Sequence, residues 1–243
     1  MHVHQILEEL AYDTGEFPRD AIEAAILKKE EITPHLLKIL EEAVCCIDEV
    51  IENDNYQGHL FAMYLLAQFR ERKAFALILR LVSFPGEIPH AITGDVITED
   101  LSRILASVAG KNTTPLKQLI ENRDVNEYVR AAGQSALVTL AGCGITTRRE
   151  VIAYFHTLFT EKLEKSPSFV WDNLILSSTD LYPEELHYEI VRAFEGGLID
   201  TTFINLEYIE KVLSTPKETH LLRLYQNAEL IEDTVTEMEK WLT

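Results

Sequence analysis

Glu184, Glu185, His187 and Glu189 follow Pro183 closely and form the densest grouping of versatile side chains in the sequence. Three carboxylates and an imidazole are metal-ligand types, but a metal site needs converging ligands and a supporting shell. Acids in the first turn of a helix already complement its dipole, and that is the role assigned to them. Only His2 and His4 among the eight histidines lie close together, and they lack a third partner. No metal and no cofactor are expected. Cys45 and Cys46 are neighbours that can neither close an ordinary disulfide nor form a CxxC hook. Together with Cys143 they are read as small buried hydrophobes. A phosphate-cradling glycine loop, a nucleophile elbow, HExxH and an EF-hand loop are all missing. No catalytic residue is assigned.

The elements that would have to position any site are helices, because apolar residues recur at spacings of three and four while strand alternation is scarce. The clearest run is Pro34 to Glu52, where Leu36, Leu40, Val44, Ile47 and Ile51 form one amphipathic stripe. Hydroxyl-proline pairs at Thr33-Pro34, Thr114-Pro115 and Thr215-Pro216 predict helix starts. Thr147 with Glu150, and Thr215 with Glu218, have capping-box spacing. Pro85-Gly86, Gly110, Gly142 to Gly144 and Gly196-Gly197 predict stops. About a dozen helices of moderate length are expected.

Apolar motifs also recur between helices. Leu65-Leu66-Ala67 and Ile104-Leu105-Ala106 match at one interval, Val108-Ala109 and Leu140-Ala141 at another, and Leu137 and Leu174 continue the series. Each lies in a first helix, followed by a second at roughly 74–84, 115–122, 149–164 and 184–195. Pairs recurring at intervals of about 30–40 residues predict an α-solenoid, with an irregular helical bundle as the alternative.

Charge narrows the partners. The 243 residues carry 40 acids against 22 bases, a formal charge of −18. Residues 1–57 hold 14 acids and 4 bases, residues 58–165 hold 11 and 13, and residues 166–243 hold 15 and 5. A field of this sign repels nucleic acid and anionic lipid. No apolar stretch approaches ~18 residues and the start has no basic, apolar leader pattern, so no membrane partner and a cytoplasmic location are expected.

Asp124, Val129, Arg130, Ala131 and Ala132, continuing to Ala136, Leu137 and Leu140, resemble the first helix of a HEAT repeat. In that pattern small residues let helices approach, while Asp and Arg satisfy each other or the turn backbone between layers. Phe17-Pro18-Arg19-Asp20-Ala21-Ile22, with Glu31-Ile32-Thr33-Pro34-His35-Leu36, resembles the opening of a bacterial family of unknown function about 250 residues long. Members of that family can carry a C-terminal, cysteine-rich SEC-C zinc motif, and no cysteine follows Cys143 here. The resemblance implies an all-α fold, an α-solenoid of HEAT-like helix pairs forming one domain over 1–243. Acidic N-terminal helices would occupy 1–57, the pairs 58–197 and capping helices 198–243. In HEAT arrays the second helices line the concave side, which makes Arg80, Lys117, His156 and Arg192 the candidates for ligand contact. Asp124, Val129 and Arg130 would form the ladder between repeats. The leading functional reading is a non-catalytic scaffold for a protein or peptide. A lyase-type accessory factor holding a small molecule, and a nucleic-acid binder disfavoured by charge, remain as alternatives.

Overall fold

A computed structural model of the chain describes residues 1–240. The described residues form seventeen α-helices with one isolated β-bridge, Tyr12 to Tyr56. They gather into two compact units.

The first unit holds residues 1–109 and 230–240. Its helices are α1 (Val3–Ala11), α2 (Arg19–Leu27), α3 (Lys29–Cys45), α4 (Ile47–Glu52), α5 (Gly58–Gln68), α6 (Lys73–Val82), α7 (Ile88–Thr93), α8 (Val96–Glu99), α9 (Leu101–Ala109) and α17 (Thr234–Glu239). α3 packs on α5 and α6, and α5 on α9, around Leu36, Leu40, Leu65, Ile78 and Ile104, all with no exposed surface. Polar contacts hold the returning C-terminal segment: Arg103 grips Glu237 through both guanidinium nitrogens at 2.8 and 2.6 Å, and Gln68 Oε1 accepts from Thr234 N–H and Oγ1. The buried Asp100 carboxylate accepts from Tyr64 Oη at 2.7 Å and pairs with Lys240 at 2.9 Å.

The second unit spans Gly110–Glu229. It contains α10 (Thr114–Glu121), α11 (Glu127–Gly142), α12 (Arg148–Thr157) running into a π-turn at Leu158–Lys162, and α13 (Phe169–Asp180). A 3₁₀ turn at Glu184–Leu186 leads to α14 (His187–Glu195), α15 (Leu206–Leu213) and α16 (Lys217–Asn227). α11 is the hub, packing on α10, α13, α12 and α16. Glu127 Oε2 accepts Phe169 N–H, Asn173 Nδ2 donates to Ala131 O, and Gln134 Nε2 donates to Val170 O, so α11 and α13 run parallel.

Local sequence rules account for many of these boundaries. The Thr147–Glu150 capping box forms in both directions, with Thr147 N–H to Glu150 Oε2 at 2.9 Å and Glu150 N–H to Thr147 Oγ1 at 3.2 Å. Gly86, Gly110, Gly144 and Gly197 stand at the expected stops with positive φ. After α5 and α13, however, the left-handed position is taken by Arg70 (φ 58°) and Tyr182 (φ 59°). Long-range side-chain bonds hold both there: Arg70 donates to Ile231 O, and Tyr182 Oη donates to Leu213 O and Thr215 O.

Four expectations fail. Thr33-Pro34 does not start a helix, because Glu30 and Glu31 fill the first turn of α3 and Ile32 is buried, carrying the helix back to Lys29 with Pro34 inside it. The Pro34–Glu52 stripe is broken at Cys46 (φ −123°, ψ 47°), which leaves Ile47 and Ile51 half-buried. The Thr215–Glu218 box does not form, since Thr215 Oγ1 donates back to Lys211 O and α16 begins at Lys217. Cys45 and Cys46 are exposed and Cys143 is half-buried, its Sγ 3.5 Å from Ala228 O.

Gly142 is the most closely approached glycine of the second unit: a Cβ there would lie 2.3 Å from Ala228 Cβ. Overpacking of this kind costs about 1–3 kcal/mol, partly offset by the ~1 kcal/mol helix preference of alanine over glycine. Gly142→Ala is therefore expected to lower stability by roughly 1–2 kcal/mol in denaturant unfolding, and Ala228→Gly should restore it. A neutral Gly142→Ala would show that the approach is not constrained.

Candidate binding cleft

Within the second unit, α11, α13, α15 and α16 enclose a cleft of about 510 Å³. α11 contributes Ser135, Val138 and Thr139, and α13 ends in it at Asp180. α15 presents Tyr208 and Lys211, and α16 presents His220 and Arg223. Asn205 caps α15 by accepting Tyr208 N–H at 3.0 Å, which fixes the rotation that turns Tyr208, Lys211 and Val212 towards the cleft. His220 and Arg223 are three residues apart on α16 and share its inner face.

The ionisable lining is Asp180, Lys211, His220 and Arg223. Lys211 and Arg223 are both exposed, and no carboxylate among the described residues lies within ion-pair reach of either. Half of the other lysines and arginines of the unit have acidic partners, among them Arg130 with Glu164, Arg148 with Glu185, Lys162 with Glu121 and Lys217 with Glu184. Asp180 opens to the cleft, but the protein crowded around the rest of its carboxyl pushes its pKa up to about 6, against a smaller opposing effect of His220. The folded state thus keeps this proton to a higher pH than the unfolded chain. The stability contributed by that proton is present at low pH and is lost as pH rises from about 3.8 to about 6.

Ser135, Thr139 and the His220 imidazole are committed locally. Ser135 Oγ lies 3.4 Å from Asn173 Oδ1, Thr139 Oγ1 donates to Ser135 O, and His220 Nε2 lies 3.0 Å from Asp180 O. No nucleophile faces a base, so the arrangement is suited to holding an anion through Lys211 and Arg223.

None of the four residues chosen from sequence lines this cleft. Arg80 is exposed on α6 in the first unit. Lys117 stacks over the Tyr154 ring at 4.7 Å, His156 lies 3.4 Å from Glu189, and Arg192 lies over Tyr188 at 5.9 Å. Glu189 and Arg192 instead border a separate hollow of about 420 Å³ with Trp171 and Phe159. The Glu184 to Glu189 group is dispersed among separate partners, with Glu185 on Arg148, His187 on Glu210 at 2.6 Å and Glu189 on His156. Val129 is fully buried in α11. Arg130, 3% exposed, donates to Ile120 O at 2.8 Å and to both Glu164 oxygens at 2.6 and 3.0 Å, while Asp124 is exposed. No helix among the described residues is long and apolar enough to cross a membrane.

The family model described as a protein of unknown function, DUF1186, matches residues 1–243. The chain belongs to the DUF1186 family. An uncharacterized protein of Chlamydia trachomatis serovar D is 53% identical over all 243 residues, covering 96% of that protein. Another, from Chlamydia muridarum, is 52% identical over the same span, covering 97% of it. No solved structure matches the chain. Membership in DUF1186 brings no activity with it, so the cleft's own chemistry has to carry the functional argument.

Proposed function

We propose that this DUF1186 chain is a non-catalytic protein-binding module, and that its cleft holds an anionic stretch of a protein or peptide partner. The observation that carries this reading is the pair of cations, Lys211 and Arg223, standing without carboxylate partners in a concavity of a chain with formal charge −18. Cations left unpaired beside so many acids are available to an outside anion. The negative field of the whole chain opposes a polyanion such as nucleic acid, and favours a short segment with one or two acidic side chains.

The scaffold reading takes the helices as HEAT-like pairs, and regularly spaced hydrogen bonds support it. Tyr64 to Asp100, Arg72 to Ala109, Gln134 to Val170, Tyr154 to Lys117 and Arg148 to Leu181 are linked at separations of 33 to 37 residues, the interval expected for such pairs. Three free thiols, two of them exposed, fit a reducing, cytoplasmic setting.

The test uses a nine-residue peptide of alanine with one central aspartate, titrated against the protein and followed by NMR. Lowering the pH from 7.5 to 5.5 discharges Asp180 and leaves the cleft more positive. Binding should tighten about fivefold, the effect of one charge roughly 4 Å away in water. Asp180→Asn should already show the tighter binding at pH 7.5. Identical affinities for Asp180→Asn and the unaltered protein at that pH would exclude the cleft as the anion site.

A further inference from the structure

At the opposite ends of α11 and α13 lies a groove of about 580 Å³ whose chemistry is the reverse of the cleft's. Tyr128, Phe169 and Phe203 form a chain of rings, with centroids 4.7 Å and then 6.4 Å apart. Tyr128 and Phe203 are exposed. Glu127, Asp172 and Asp200 line the same groove, and no Lys or Arg does. Asp172 is only 5% exposed, yet one of its oxygens alone meets a protein donor, Asp200 N–H at 2.8 Å. Glu127 likewise commits a single oxygen, to Phe169 N–H at 2.6 Å. Burial, followed by the neighbouring charges of Asp200 and Glu127, raises the Asp172 pKa even though the Asp200 amide opposes it. Ring faces beside under-satisfied carboxylates suit a cationic side chain, which the rings attract and the carboxylates neutralise.

Groove and cleft share one face of the same two helices. Tyr128, Ser135 and Thr139 follow at steps of seven and four along α11, and Phe169, Leu176 and Asp180 do the same along α13, so each set forms one stripe. Leu176, midway along, is exposed. From Tyr128 to Thr139 the helix rises roughly 16 Å at ~1.5 Å per residue. An extended chain covers that distance in about five residues at ~3.3 Å each.

We infer that a single extended protein segment lies along the α11–α13 face, with a lysine or arginine in the Tyr128–Phe169–Phe203 groove and an acidic side chain about five residues away at Lys211 and Arg223. This rests on the cleft being the anion site, as proposed above. It specifies the partner's chemistry as a basic and an acidic residue at fixed spacing.

The test compares three alanine-based nine-residue peptides by NMR titration. One carries an aspartate alone, one an aspartate and a lysine five residues apart, and one the same pair two residues apart, both pairs being made in either order. The five-residue pair, in one order, should bind at least threefold more tightly than aspartate alone, and the two-residue pair should not. Phe203→Ala removes a ring that is 69% exposed and leaves the core untouched, and Asp172→Asn removes the buried charge. Each should abolish the gain from lysine while keeping the affinity for the aspartate-only peptide. If lysine brings no gain in either order while that peptide still binds, or if Phe203→Ala leaves the gain intact, the shared-segment inference is wrong and the cleft reading stands. If the aspartate-only peptide does not bind at all, the cleft reading itself fails.

Discussion

Arg130→Ala is expected to lower the unfolding free energy by about 2–4 kcal/mol, below the ~3–5 kcal/mol for breaking a fully buried ion pair because Glu164 keeps some solvent. The guanidinium is 3% exposed and joins three oxygens from two places in the chain: the end of α10 through Ile120 O, and the segment after the π-turn through Glu164. Removing it strands the Ile120 carbonyl and leaves Arg123, 3.7 Å away, as the cation nearest Glu164. Hydrogen bonding from Arg130 holds the Glu164 carboxyl below its ordinary pKa. The stabilisation is therefore complete above the usual glutamate range and fades as pH falls through the lowered value. Denaturant unfolding at pH 7 and pH 3 should show a large difference between variant and parent at pH 7 and a smaller one at pH 3. A double-mutant cycle with Glu164→Gln should give strong coupling, and one with Asp124→Ala none. Equal losses at both pH values would mean that Arg130 acts through Ile120 O and packing, with no contribution from Glu164.

Lys211→Glu combined with Arg223→Glu is expected to weaken binding of the aspartate peptide at least tenfold, about 1.4 kcal/mol. Each reversal replaces an attraction by a repulsion at the same place, and Asp180 adds a third negative charge to the cleft. Both side chains are exposed, so folding should be nearly unaffected. Lys73→Glu, an exposed charge reversal on α6 in the first unit, should leave binding unchanged apart from a small shift in the overall field.

Much of the helical order was legible because it is local. Apolar phase located helices at α6, α10, α12 with its π-turn, and α14 with its 3₁₀ turn, and the Thr147 box and the glycine stops lie where their chemistry requires. What sequence could not show depends on distant partners. Arg70 and Tyr182 take the left-handed turn position of glycine because Ile231, Leu213 and Thr215 lie where their side chains reach. Arg130 was legible as a structural arginine, but its acid is Glu164, 34 residues on, while the nearby Asp124 faces solvent. The cleft was missed because its cations sit on α15 and α16 in a strongly acidic stretch, and only the folding of those helices against α11 and α13 isolates Lys211 and Arg223 from the acids around them. The spacing of His220 to Arg223 on one helix face was the available signal, and it gains meaning only once Asp180 stands opposite.

The most direct test of the anion-holding cleft is to titrate the aspartate peptide side by side into the parent protein and the Lys211→Glu, Arg223→Glu variant, with NMR reporting the responding residues. Saturable shifts gathered around Asp180, Lys211, His220 and Arg223 are expected in the parent, and their loss in a variant that is still folded. Equal binding by both proteins, or shifts that avoid α13, α15 and α16 altogether, would contradict it.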